Sequence, residues 1–212
     1  MKKILFLLFF TLGFNVSAAT KDPAARKVLD ATAAHLSKAG GMSIKFTATT
    51  LIGKQSQGST SGTMNIYGQK FHLNSPDMLT WFNGKDQWSM IPGDNEVSLS
   101  EPTSAELQAM NPYAFLSLYK KGFNYKMKRG MLINGKNGYK IFLTADNKKQ
   151  DIREMYLEVD NAYNPVRVSI RQGKTNWTRI VINSFQQGKT FKDSEFEFPK
   201  ENNPLIEIID LR

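Results

Sequence analysis

MLTWFNGKDQWSMIP, residues 78–92, holds two of the chain's three tryptophans on either side of Asn83-Gly84. Asn-Gly is the strongest short signal for a β-hairpin, because its tight turn needs positive φ at both central residues. That hairpin puts Trp81 and Trp88 on adjacent antiparallel strands. Smaller β-branched residues would serve a plain hairpin as well, so the large rings ask for a reason.

Working upstream, the period of the pattern stays at two. Ile44, Phe46 and Ala48 alternate with Lys45, Thr47 and Thr49, and Met64 and Ile66 follow the stretch QSQGSTSG, expected as the loop of a long hairpin. Phe71 and Leu73 continue the pattern, then Leu79 and Trp81, then Trp88 and Met90. Short strands separated by Gly, Asn or Pro turns imply an antiparallel meander. Before it lies one helix: Asp22 caps it, Pro23 suits its first position, and Gly40-Gly41 ends it. Val28, Leu29, Thr32 and Leu36 share one face, which should lie on the sheet.

Downstream the meander is interrupted once. Thr103-Ser-Ala-Glu106 reads as a capping box, opening a short helix through about Met110. Asn111-Pro112 starts a second, YAFLSLYKK, which Gly122 stops. This pair carries Leu107, Met110, Tyr113, Phe115, Leu116 and Tyr119. Strands resume at Tyr125 and Met127, at Tyr139, Ile141 and Leu143, at Met155 to Val159, at Val166 to Ile170, at Trp177 to Phe185 and at Leu205 to Leu211. The expected fold class is mainly β with helices (α+β). Its architecture is an incomplete antiparallel β-barrel of about eleven strands, covered by an N-terminal helix and a short helical lid.

The N-terminus, MKKILFLLFFTLGFNVSAAT, has two lysines, a short apolar core and small residues at Ser17-Ala18. This is the pattern of a secretory signal peptide, residues 1–18, leaving 19–212 as a single domain. With no cysteine in the chain, neither a lipid anchor on cysteine nor a disulfide is available. The lysine-led signal points to the periplasm. Losing its two lysines takes the formal charge from +9 to +7, a surplus that serves solubility before any specific partner.

Catalytic patterns are missing. The two histidines, His35 and His72, fit no metal spacing, and no G-x-S-x-G, S-x-x-K or cysteine nucleophile occurs. No cofactor, metal or enzymatic activity is expected. Glu154, Glu158 and Asp160 alternate on one strand and read as a solvated face; only a facing pair of buried carboxyls would revive a glycan hydrolase. Lys120, Lys121, Lys126, Lys128 and Arg129 read likewise as a wet surface, and the aromatic interleaving of a nucleic-acid site is absent. What stands out is an apolar inventory of 14 Phe, 9 Met, 7 Tyr and 3 Trp. On strands curling around short apolar helices, such adaptable side chains suit a cavity for a greasy ligand.

These features together resemble the periplasmic carriers of outer-membrane lipoproteins, the LolA-like family. The likeness rests on Leu36…Ile44-Lys-Phe46, on Gly62-Thr-Met64-Asn-Ile66 leading to Phe71, and on Phe82-Asn-Gly-Lys-Asp-Gln-Trp88. It continues with Asn111-Pro112-Tyr-Ala-Phe115-Leu116, and closes with Phe196-Glu-Phe198-Pro199 before an Ile-rich strand. One departure matters. The family's Arg-Pro after the second strand, whose arginine tethers the helical lid, is replaced by Tyr67-Gly-Gln-Lys-Phe71. Lys70 is the residue placed to substitute, though a point charge lacks the planar fork of arginine.

The resemblance implies a monomeric carrier that takes acylated lipoproteins from an inner-membrane ABC exporter and hands them to an outer-membrane receptor. The alternative is a periplasmic lipid-binding or envelope-sensing protein using the same half-barrel without lipoprotein transport. Sheltering an acyl chain of ~15 methylenes from water is worth on the order of 12 kcal/mol, at about 0.8 kcal/mol per CH₂. A soft wall under a movable lid holds that much reversibly. The strand residues expected to line the cavity are Phe46, Met64, Ile66, Phe71, Leu79, Trp81, Trp88, Met90 and Ile141; the helices add Leu107, Met110, Phe115, Leu116 and Tyr119. For the tryptophans, the inner and the outer side of the sheet both stay open.

Overall fold

A computed structural model describes residues 21–103, 106–107, 119–147 and 149–212. One 12-stranded sheet organises them. It consists of β1 (Gly41–Ile52), β2 (Gln55–Tyr67), β3 (Lys70–Asn74), β4 (Leu79–Phe82), β5 (Gln87–Met90) and β6 (Glu96–Ser100). After the segment 101–122 come β7 (Phe123–Met131), β8 (Asn137–Ala145), β9 (Ile152–Asp160), β10 (Pro165–Gln172), β11 (Asn176–Lys189) and β12 (Glu207–Asp210). The spatial order is β12-β6-β5-β4-β3-β2-β1-β11-β10-β9-β8-β7. Two meanders are thus welded by one long-range antiparallel pair, with Phe46 opposite Ile182 and Ala48 opposite Ile180. The chain's last strand, β12, adds to β6 in parallel.

The helix α1 (Pro23–Ser37) forms as its caps dictate, with the Asp22 carboxylate accepting from the Ala24 N–H. Its apolar face, Ala25, Val28, Leu29, Thr32 and Leu36, is buried on the inner face of the sheet. Both ends are fastened. Asp22 donates its N–H to the Tyr125 carbonyl on β7 and accepts from the Met127 N–H. At the far end His35 bonds Asn164, in the turn before β10, and Gln187 on β11. The helix therefore crosses from β7 to the foot of β11 and leaves the other end of β1 and β11 uncovered.

Three expectations need correction. The Asn83-Gly84 hairpin does pair Trp81 directly with Trp88, yet only Gly84 has positive φ (104°). The loop is four residues long, and the Asn83 side chain shapes it by accepting the N–H groups of Lys85 and Asp86. QSQGSTSG is no loop but part of β2, and the chain turns at Gly53-Lys54. Its hydroxyls make cross-strand pairs instead, Thr47 with Ser61 at 3.0 Å and Thr49 with Ser59 at 2.8 Å. Finally, Glu158 does not lie on a solvated face. It is 1% exposed, accepting from Arg167 (2.7 Å) and the Ile133 N–H (2.7 Å), with the Lys140 ammonium at 3.5 Å.

The capping box closes as expected. Glu106 accepts from the Thr103 N–H at 2.7 Å, and its own N–H reaches the Thr103 hydroxyl at 3.3 Å. Residues 108–118 of the expected lid pair, including Met110, Phe115 and Leu116, lie outside the described residues. The basic cluster sits on and beside the edge strand β7, where Lys126 lies over Phe142 and Arg129 over Tyr139.

Candidate functional site

Strand alternation divides the apolar residues between two faces of the sheet. The inner face carries the main core, in which Met64, Ile66, Phe71, Ile141 and Tyr119 are buried and Leu107 is packed at the margin. Tyr119 also donates to Asp30 of α1 at 2.5 Å, and burial together with that carboxylate pushes its phenol well above the ordinary range.

Beyond the reach of α1, the inner face is hollow. A cavity of about 280 Å³ opens there, walled by Ile44, Phe46 and Ala48 of β1, Thr60 and Met64 of β2, Leu73 of β3, and Ile180 and Ile182 of β11. The turn after β3 overhangs it with Ser75, Asp77 and Met78. That turn is held by the Ser75 hydroxyl, which donates to the Met78 carbonyl and accepts the Met78 N–H. The wall is thus aliphatic, aromatic and thioether, with polar groups confined to Thr60, Ser75 and Asp77. A volume of this order stands at the small end of ligand pockets, which start near 300 Å³; one hydrocarbon chain suits it better than several.

Phe46 owes its position to a glycine. A Cβ at Gly62 would stand 2.7 Å from the Asn74 carbonyl oxygen and 2.9 Å from the Phe46 ring. Only the missing side chain lets the ring lie flat across the neighbouring strand.

Of the residues expected at the cavity, Phe46 and Met64 line it. Ile66, Phe71, Ile141, Leu107 and Tyr119 lie in the adjoining core. Leu79, Trp81, Trp88 and Met90 are on the other face, in a second cluster with Val97, Phe198 and Ile206. The C-terminal segment that follows β11 covers them: Phe198 meets Trp81 edge-on at 5.4 Å. Lys70 bonds Asp193 of that same segment at 2.7 Å. The large rings of the hairpin are there to anchor this outer strap. His72 stacks on Trp81 at 5.1 Å, and its buried Nε2 has no hydrogen-bond partner among the described residues.

Sequence reasoning missed Ile44, Ala48, Leu73, Ile180, Ile182 and the turn residues Ser75, Asp77 and Met78. The alternation of Ile180 and Ile182 was visible. What it lacked was a sign that β11 pairs with β1 and brings these two beside Phe46.

No curated protein matches the sequence. Among solved structures, LprF from Mycobacterium bovis is similar at 13% identity, covering 85% of this chain and 99% of that one, with a TM-score of 0.48. A LolA superfamily protein from Nitrosomonas europaea is similar at 8% identity, with coverage of 82% and 97% and a TM-score of 0.45. In the Pseudomonas aeruginosa MucA/MucB complex, the similar chain shares 12% identity over 84% of this chain and 62% of that one, with a TM-score of 0.42. The decisive match is to a family model: residues 16–174 fit the outer membrane lipoprotein carrier protein LolA, and the chain belongs to that family.

Proposed function

We propose that this protein is a periplasmic carrier that shelters a lipoprotein acyl chain in the cavity on the inner face of the sheet, beyond the reach of α1. In this role it receives acylated lipoproteins from an inner-membrane ABC exporter and yields them to an outer-membrane receptor. The observation that carries the proposal is the cavity itself: an apolar hollow flanked by half-exposed Phe46, Ala48, Ile180 and Ile182, in a chain of the carrier family. Leaving these side chains half-wet costs stability that a hydrocarbon guest would return. The guest need not be gripped hard, because only one side of it is walled by the sheet.

The test is mass spectrometry of what co-purifies with the protein from the envelope, for the natural chain and for Ile182→Glu. Acylated lipoproteins should accompany the natural chain, and a carboxylate that a bound acyl chain would cover should reduce loading at least tenfold, while circular dichroism shows an unchanged fold. Recovery of no acylated molecule sinks the proposal. Recovery of free lipid alone, with failure to restore growth in cells depleted of their own carrier, favours the envelope-sensing alternative, for which the missing Arg-Pro speaks.

A further inference from the structure

The outer face of the same strands bears a second concavity, of about 320 Å³, which differs from the first in carrying cations. It is lined by Lys54, Arg167 and Arg179, by Tyr156 and Trp177, and by Ser169, with Leu51 and Gly53 at its floor and rim. Among the described residues no carboxylate lines it.

One of its cations, Arg167, is positioned in advance. Arg167 is held by the buried Glu158 through Nη2 alone, and its guanidinium lies over the Tyr156 ring at 4.9 Å. Next to it Arg171 is fixed by Glu154 at 2.5 Å and by the carbonyls of Gly173 and Lys174, over Trp177 at 6.0 Å. Both acids are therefore committed to arginines other than Arg179. Among the described residues the Arg179 side chain makes no ion pair or hydrogen bond, and Lys54 makes no ion pair. Register places Arg179 directly across from Ser169 on β10 and from Thr49 on β1, so its strand position is rigid.

We infer that this cleft binds a phosphate group, with Arg179, Arg167 and Lys54 around its oxygens, the Ser169 hydroxyl as a neutral donor, and Trp177 and Tyr156 as walls for the attached organic part. A phosphate spreads one negative charge (as a diester) or two (as a monoester) over two or three terminal oxygens and so uses several cations at once, and guanidinium forks match its geometry. A lone carboxylate would leave most of these donors idle. The phosphate can belong to a membrane lipid headgroup or to a soluble phosphate ester, and the two are separable by experiment. The site faces away from the acyl cavity, so it stands independently of the carrier proposal.

Calorimetric titration with inorganic phosphate and with glycerol 3-phosphate, and flotation with phosphatidylglycerol or phosphatidylcholine vesicles, test the inference. The natural chain is compared with Arg179→Gln, Lys54→Gln and, as a control of equal charge change on the distant strand β7, Lys128→Gln. Thermal melting checks that each variant folds. Saturable binding is expected, weakened about tenfold or more in Arg179→Gln and less in Lys54→Gln, with Lys128→Gln unchanged. Binding of the soluble phosphates assigns the site to a free ester. Saturable binding of phosphatidylglycerol vesicles alone, lost in Arg179→Gln, assigns it to a lipid headgroup. Absence of binding to every probe overturns the inference, as does equal weakening by Arg179→Gln and Lys128→Gln, which would reduce it to general attraction by a basic protein.

Discussion

His72 shows how one residue records the packing around it. Burial against Trp81 lowers its pKa from the ordinary value near 6.5, opposed only by the Glu195 carboxylate. The folded chain therefore resists the proton that the unfolded chain accepts. Stability is fully present above about pH 6.5 and falls as the pH drops through the folded value. Chemical denaturation at pH 7.5 and at pH 5 should show a loss for the natural protein that is smaller in His72→Phe. Equal losses would mean that other groups govern the acid side. The histidine was visible in the sequence as a lone residue between Phe71 and Leu73. Its stacking partner was not, because the alternation alone does not say which face of the strand is later covered.

At the scale of elements, the C-terminal strap does what the sequence reading assigned to no segment. Phe196 and Phe198 are buried, and β12 pairs with β6, so the strap closes the outer face over Leu79, Trp81 and Trp88. Arg212 secures its end, reaching Asp86 at 3.1 Å and holding the Asp210 carboxyl down to about 2. Phe198→Ala should cost about 3–5 kcal/mol in urea unfolding, since it leaves a void against Trp81. Lys70→Ala, which removes only a pair with the exposed Asp193, should cost less than about 1 kcal/mol and leave acyl loading unchanged. A drop in loading with Lys70→Ala would tie that lysine to the cavity after all. The helix α1, its N-cap and the Thr103-Glu106 box were legible because each depends on neighbours within four residues, whereas the helix stops at the Lys38 C-cap, ahead of the expected Gly40-Gly41. The β2 stretch QSQGSTSG was not, since its polar residues become strand by pairing with β1, supported by two hydroxyl pairs across the strands.

For the molecule as a whole, stability hinges on the β1–β11 pair. It joins residues as far apart in the chain as Gly41 and Lys189 and holds the two meanders together. A chain ending at Lys174 keeps every residue of the family match, yet loses the strand at the centre of the sheet. It should fail to fold, with no cooperative melting by circular dichroism. Cooperative melting of that shortened chain would show that the first ten strands are self-sufficient. Refolding of the intact chain should be slow, in milliseconds to seconds by stopped-flow fluorescence, because the loop closure precedes the contacts that repay it.

Alternating apolar residues, capping residues and turn residues acted locally, and they sufficed for eleven of the twelve strands (β6 went unread), the opening helix, the mainly β class and the likeness to lipoprotein carriers. Which strands meet across the sheet, and so which apolar residues enclose the cavity and which lie beneath the strap, followed only from tertiary structure. The reason is physical: a side-chain pattern of period two defines two faces but does not label them, and the label comes from whatever distant segment packs there.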